Sequence, residues 1–388
     1  MAAPTLPSFA YTAPTIVWFA PEALGRLGSY LKRLGISRAF LVCDPALEPL
    51  GIADQVRGAA AERVGTTWAH VEADAPRASV EAGADAARAA GADGVIALGG
   101  GSAIDSAKAI ALLVKHGGDV ARWDGAGKIG SPGLPLIAIP TTAGTGSEAS
   151  CIAVLKDEAQ QKKLVLIDRA VYPSVAILDP RLTMGLPAKL TAATGLDALT
   201  HAVEGIVSKY AQPVCDAIGL ECVRLIAAHL RKAVVAPDDA TARGYMLLAA
   251  SMAGQLVSMT FTGVAHAVAH ALGVGWRIHH GTANALVLPW SIRFNASDGR
   301  AAAGYRRCAE AFGVHASGDD AAWTRAFADA VEAFVAELGL PTRLGAIGVG
   351  RDELGRLAAL AFADPSHGPN PVKVSGAAQL EAALADLA

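Results

Sequence analysis

The chain has 388 residues, 52% of them hydrophobic and 18% charged, with a formal net charge of −3. That length suits two domains with sizeable cores, and without a Lys/Arg block the sequence offers no nucleic-acid or anionic membrane surface. Five cysteines (Cys43, Cys151, Cys215, Cys222 and Cys308) with no CxxC spacing argue for reduced thiols and against a disulfide framework.

The N-terminus, Met-Ala-Ala-Pro-Thr-Leu-Pro, lacks the charged and apolar regions of a signal peptide. No apolar run reaches the roughly 20 residues that span a bilayer, so a soluble cytoplasmic protein is expected. Short apolar runs then alternate with helical stretches. Ala39–Cys43 ends at Asp44-Pro45, Gly94–Leu98 at Gly99-Gly100-Gly101, Leu134–Ile139 at Pro140-Thr141-Thr142, and Val175–Leu178 at Asp179-Pro180. Each run closes on a turn signal and precedes a helix, which is the pattern of βα units around a parallel sheet. Ligands of such sheets bind beyond the carboxyl ends of the strands.

Two of those ends carry phosphate chemistry. In Gly99-Gly100-Gly101-Ser102 a triple glycine leads from a strand into a helix, where free N–H groups and the helix dipole favour an anion. Taken alone, such a loop is equally a tight turn. Pro140-Thr141-Thr142-Ala-Gly144-Thr145-Gly146-Ser147-Glu148 adds hydroxyls and glycines beyond another strand. Two such loops at one sheet edge suit a dinucleotide. Asp44, past an earlier strand, is placed to accept from an adenosine ribose hydroxyl and to repel a 2′-phosphate, which favours NAD over NADP. An N-cap before Pro45 is its plainer role.

After Gly185-Leu-Pro187 strand signals nearly vanish. Ala/Leu-rich helical segments run to the end, broken near Asp238, Asn295, Gly318 and Pro365. The expected division is an α/β dinucleotide-binding domain over 1–185 and an all-helical, metal-binding catalytic domain over 186–388. In the helical part, Asp197 and His201 stand at i, i+4 and project from one face. His266 and His280, from a later segment, would complete a site of one carboxylate and three imidazoles. His70, His116, His229 and His315 are read as ordinary surface or core histidines, Glu204 as an acid supporting the ligands, and Cys151 as packing.

Together these motifs resemble the iron-containing (group III) alcohol dehydrogenases, which share a dehydroquinate synthase-like fold. The resemblance covers nearly the whole chain, from Ile16-Val-Trp-Phe-Ala-Pro through Gly99–Ser102, Pro140–Glu148, Lys163, Gly195–Gly205, His266–Gly273 and His280-Gly-Thr-Ala-Asn284 to Asn370-Pro371. It implies an N-terminal Rossmann-like domain for a nicotinamide cofactor and a C-terminal all-α domain for one divalent metal. The implied ligands are Asp197, His201, His266 and His280, with Fe²⁺ expected; the ligand types also admit Zn²⁺. His280 is preferred over the adjacent His279 because Gly281 and Asn284 follow it as in the family. The implied cofactor contacts are Asp44, Gly100, Gly101, Ser102, Thr141, Thr142, Thr145, Lys163 and Leu182. His270 matches a histidine beside metal and nicotinamide that does not ligate, and so is the expected proton relay. The resemblance also implies a homodimer or larger homo-oligomer.

Departures from the family pattern fall around the substrate. Ile152, Phe261 and Ser366 stand where other residue types are common, and they mark an expected pocket for a modest apolar alcohol or aldehyde. Asp74 stands where an Asn often meets the cofactor. The expected activity is hydride transfer between NAD(H) and a small alcohol, aldehyde or ketone. A maleylacetate reductase ranks lower because its relatives usually lack the Asp-x-x-x-His pattern. A dehydroquinate synthase-like lyase or cyclase would want a Lys/Arg-rich pocket, and a binding protein without catalysis would not keep the ligand set.

Overall fold

The computed structural model describes residues 8–60, 62–160 and 162–388. Nine strands occur in it: β1 (Ile16–Phe19), β2 (Ala39–Cys43), β3 (Val64–Trp68), β4 (Gly94–Gly99), β5 (Gly125–Ala126), β6 (Leu136–Pro140), β7 (Ile152–Asp157), β8 (Lys162–Ile167) and β9 (Val175–Leu178). The helices among them are α1 (Leu27–Arg33), α2 (Ile52–Ala59), α3 (Arg77–Ala89) and α4 (Gly101–His116). From residue 188 onward the regular elements among the described residues are helices: α5 (Ala188–Val207), α6 (Pro213–Val235), α7 (Ala240–Thr260), α8 (Val264–Trp276), α9 (His280–Phe294), α10 (Gly299–Phe312), α11 (Asp320–Glu337), α12 (Leu354–Ala363) and α13 (Ala377–Leu384). Breaks between helices occur at the expected residues 238, 295, 318 and 365, and also at 208–212, 261–263, 277–279 and 338–353, where none was expected.

Six strands form a parallel sheet in the order β1-β9-β6-β4-β2-β3. Its inner strands β2, β4, β6 and β9 are buried along their whole length. That explains their continuous apolar runs, since a parallel sheet covered on both faces has no polar side to alternate with. Val42, Ala97 and Ala138 pack on one face with α3 and α4 residues such as Val80 and Ile110. Leu41, Ile96 and Ile137 pack on the other with Leu27, Leu31 and Val56 of α1 and α2. A three-stranded sheet, β5-β8-β7, is antiparallel between β7 and β8. The hairpin β7–β8 and the partly exposed strands β1 and β3 had weaker apolar signals than the four buried strands.

By packing, the chain divides into two compact units: Pro14–Gly195 with His229–Gly254, and Met1–Ala13 with Leu196–Ala228 and Gln255–Ala388. This differs from a single cut at 185, because residues 186–195 and 229–254 pack with the sheets. One cause is the crossing of α7 over the Thr-rich loop. A Cβ on Gly146 or on Gly254 would overlap the backbone of the other, so only two glycines allow so close an approach. Among the described residues no single helix is long and apolar enough to cross a membrane. All five cysteines are buried free thiols.

Candidate metal centre and cofactor cradle

Asp197 and His201 lie one turn apart on α5, as their spacing predicts. His266 and His270 repeat that spacing on α8, and His280 opens α9 with His279 at its N-cap. One ligand atom each from Asp197, His201 and His266, all three buried, lie within 4.8 Å of one another. His266 Nε2 is 2.9 Å from His201 Nε2 and 3.9 Å from Asp197 Oδ1. His280 reaches this trio from a more exposed position, its Nε2 3.4 Å from Asp197 Oδ1. Ligand bonds of 2.0–2.1 Å in a tetrahedron separate the donor atoms by ~3.4 Å, so this spacing fits a small divalent ion.

The surroundings support the same reading. Glu204 accepts from the Ala265 N–H at 2.7 Å and pairs with His266 Nδ1 at 2.5 Å. A carboxylate behind a metal-binding imidazole fixes its tautomer and turns the other nitrogen toward the ion. Burial opposes a charge on His266, but Glu204 and then Asp197 outweigh it and raise the ring above its ordinary value. Burial pushes His201 down to about 4 despite the nearby Asp197, so its ring is neutral at physiological pH and offers a lone pair. The amide of Asn284 sits 2.6 Å from Asp197 Oδ1, 3.1 Å from His280 Nε2 and 3.3 Å from His266 Nε2. Two N–H bonds face three acceptors, while His201 Nδ1 and Asn284 Oδ1 are buried without hydrogen-bond partners. A cation among the facing lone pairs of His201, His266, His280 and Asp197 would balance that surplus of acceptors.

His270 stacks on His280, with ring centroids 5.3 Å apart, and its Nδ1 pairs with Asp364 Oδ2 at 2.9 Å. Each residue of the expected apolar pocket has a local contact. The Phe261 ring meets Tyr210 edge-on at 5.8 Å, from a backbone at φ +54°. The Ser366 N–H donates to Asp364 Oδ1. Ile152 belongs to the sheet-bearing unit, where its carbonyl accepts from Lys108 Nζ at 2.6 Å.

The glycine loop lies where the pattern puts it, between β4 and α4, with Gly100 as N-cap. Its glycines leave little space for a side chain. A Cβ on Gly100 would lie 3.2 Å from Thr142 Oγ1, and one on Gly101 would lie 2.7 Å from Thr145 Cγ2. Gly99 adopts φ +147° with Asp44 against it. The two loops therefore abut, as a two-loop dinucleotide cradle requires. The Asp44 carboxylate caps the short helix after β2, accepting from the Ala46 N–H at 3.0 Å, so its plainer role is real and coexists with a place beside the glycines. Ser102 Oγ accepts from the Asp74 N–H, and Lys163 Nζ lies 3.7 Å from Asp74 Oδ1. Thr141 and Leu182 are buried where β6 and β9 end.

Beneath the loops lies a buried cluster whose role sequence reasoning did not foresee. Lys108 Nζ donates to Ser147 Oγ at 3.0 Å, to the Ser150 carbonyl at 3.1 Å and to Ile152. Asp105 accepts from the Ser147 hydroxyl and from the Val154 N–H. Both project from α4, so the helix that begins at the glycines also anchors the end of the Thr-rich loop. Burial lowers Lys108 and raises Asp105. Their i, i+3 spacing was the available signal. Asn284, at i+4 from His280, and Asp364, 94 residues from His270, were likewise missed as partners.

Two family models match: iron-containing alcohol dehydrogenase over residues 14–180, and the C-terminal part of the Fe-containing alcohol dehydrogenase family over 191–385. The NAD-dependent methanol dehydrogenase of Bacillus methanolicus is 35% identical, over 90% of this chain and 92% of its own. The lactaldehyde reductase of Escherichia coli K12 is 35% identical, over 91% and 93%. Among solved structures, a 1,3-propanediol oxidoreductase superposes with TM-score 0.93 at 33% identity, covering 98% of this chain and 100% of that one. A sulfoacetaldehyde reductase from Bifidobacterium kashiwanohense in complex with NAD⁺ does so with TM-score 0.89 at 29% identity, covering 98% of each. With matches over both halves of the sequence and relatives above 30% identity along nearly all of it, the chain belongs to the iron-containing alcohol dehydrogenase family.

Proposed function

We propose that this chain is an NAD(H)-dependent alcohol dehydrogenase or aldehyde reductase whose divalent metal is held by Asp197, His201, His266 and His280. The convergence of three buried ligand atoms within 4.8 Å carries the reading. An ion held there would supply Lewis acidity, and a nicotinamide bound in the cradle would supply the hydride chemistry. Iron is the family's metal, and the ligand types equally suit Zn²⁺.

The residues around these groups do the positioning. Glu204 turns His266 Nε2 inward, and Asn284 restrains Asp197. His270, one turn beyond His266, moves the proton. Gly100, Gly101 and Ser102 offer backbone N–H groups to the pyrophosphate at the start of α4, with Lys163 and the hydroxyls of Thr141, Thr142 and Thr145 around it and Leu182 against the base. Asp44 selects NAD by accepting from the ribose and repelling a 2′-phosphate. The named substrates of the relatives (methanol, lactaldehyde and propanediol) favour a small alcohol or aldehyde.

The test is a panel of small aldehydes offered to metal-loaded protein with NADH or NADPH, followed at the reduced-nicotinamide band. The expectation is net NADH loss, with kcat/KM for NADPH lower by about tenfold or more, as a repulsion of at least ~1.4 kcal/mol demands. A preference for NADPH would overturn the role of Asp44. Turnover without net change in NADH would replace the dehydrogenase reading with a cyclase that regenerates its cofactor.

A further inference from the structure

The helix that carries His266 has no cap of its own. Its N-cap is Gly263, without a side chain, and the first N–H groups of a helix lack intrahelical partners. Two of them find acceptors on distant segments. The Val264 N–H donates to Asn370 Oδ1 at 3.2 Å, and the Ala265 N–H donates to Glu204 at 2.7 Å. A Cβ on Gly263 would lie 2.7 Å from the Glu204 oxygen and 3.0 Å from Asn370 Oδ1, so a glycine lets both acceptors close in. His266 follows directly, with its Nδ1 on the same Glu204.

Asn370 is 1% exposed and its whole amide is engaged. Oδ1 also accepts from Asn295 Nδ2 at 3.1 Å. Nδ2 donates to Asn295 Oδ1 at 2.7 Å and to the Val372 carbonyl at 2.8 Å. Asn295 closes α9, the helix that His280 opens, and donates in turn to the buried Tyr305 hydroxyl. Pro369 and Pro371 flank Asn370 and narrow the backbone choices of its loop. The reciprocal amide pair thus ties the start of α8 to the end of α9.

We infer that Asn370 is a positioning residue for the metal centre: by accepting from Val264 while locked to Asn295, it sets the first turn of α8, and with it His266, against the helix that begins at His280. This rests on the ligand roles given to His266 and His280 above. Asn370 acts through backbone alone. Ligand distances in such a site hold within about 0.2 Å, so freeing the first turn of α8 is enough to weaken the hold on an ion.

Two variants separate this role from packing. Asn370→Asp keeps the oxygen that accepts from Val264 and Asn295. In Asn370→Ser the oxygen stands where Asn has Cγ, short of Val264, while a hydroxyl remains for the buried amide of Asn295 and spares the fold. Each full chain, loaded with Zn²⁺, is challenged with a coloured chelator, and the Zn²⁺ transferred at equilibrium gives its affinity. Asn370→Ser should bind Zn²⁺ about tenfold more weakly, the lower end for losing an outer partner of a metal site, and Asn370→Asp should stay within about threefold of wild type. Amide exchange of Val264 should quicken in Asn370→Ser and not in Asn370→Asp. Denaturant melts supply the control. An added buried carboxylate burdens the fold more than a hydroxyl does, so a packing role would make Asn370→Asp the weaker Zn²⁺ binder. Unchanged affinity in Asn370→Ser, or affinity that follows stability with Asn370→Asp the weaker, overturns the inference. A wild type that retains no Zn²⁺ against the chelator refutes the metal centre itself and the inference with it, whereas wild-type retention with no difference between the variants overturns the role of Asn370 alone.

Discussion

Around Asp197, His201 and His266 the fold spends polar side chains in a buried place, whereas around Gly99–Ser102 it withholds side chains altogether. In the first region, function depends on which atoms converge: two imidazole nitrogens 2.9 Å apart and a carboxylate 3.9 Å from one of them. In the second, it depends on space, since a single Cβ on Gly101 would sit 2.7 Å from Thr145. The helical site should therefore be sensitive to chemistry and tolerant of backbone adjustment, and the cradle the reverse.

Gly101→Val applies the larger stress to this contrast. Its side chain should drive Thr145 out of place and weaken NADH binding by about a hundredfold, a plausible cost for misplacing a binding group by an ångström. Metal content should stay at the wild-type level. Fluorescence titration with NADH, beside metal analysis of the same preparation, reads both, and unchanged NADH affinity would show that the glycine serves only the turn.

A smaller effect sharpens the contrast from the other side. Phe261, at φ +54°, is a place where the helical unit does strain its backbone, in a region costing an L-residue about 1–2 kcal/mol. Comparing Phe261→Gly with Phe261→Ala cancels the loss of the ring against Tyr210. Glycine should be the more stable by about 1 kcal/mol in denaturant melts, the reverse of the usual order in regular structure. Alanine equal to or above glycine would mean that the strain is relieved elsewhere.

The same contrast explains what the sequence made legible. The four buried strands were readable because burial on both faces makes their apolar runs continuous. The edge strands β1 and β3 and the hairpin β7–β8, partly exposed, lack that signature. Asp197 and His201 were readable because one helix carries both. Glu204 was legible as an acid one turn beyond His201, but its pairing with His266 on another helix was not. Asp364 was invisible, because nothing local ties it to a histidine 94 residues away. The expected pocket of Ile152, Phe261 and Ser366 rested on departures from a family pattern, whereas the local contacts of each come only from the fold. Similarly, a cut at 185 follows the change from strands to helices, but the Gly146–Gly254 crossing shows that packing need not follow that change.

The central claim is that His266 ligates while its neighbour one turn on, His270, moves protons. Metal content of His266→Ala and His270→Ala, purified beside the wild type, tests it most directly. The account predicts about one divalent ion per chain in wild type and in His270→Ala, with turnover of the latter slowed by roughly 10²–10⁴-fold, and none retained in His266→Ala. Equal retention in both variants, or equal loss from both, would contradict it.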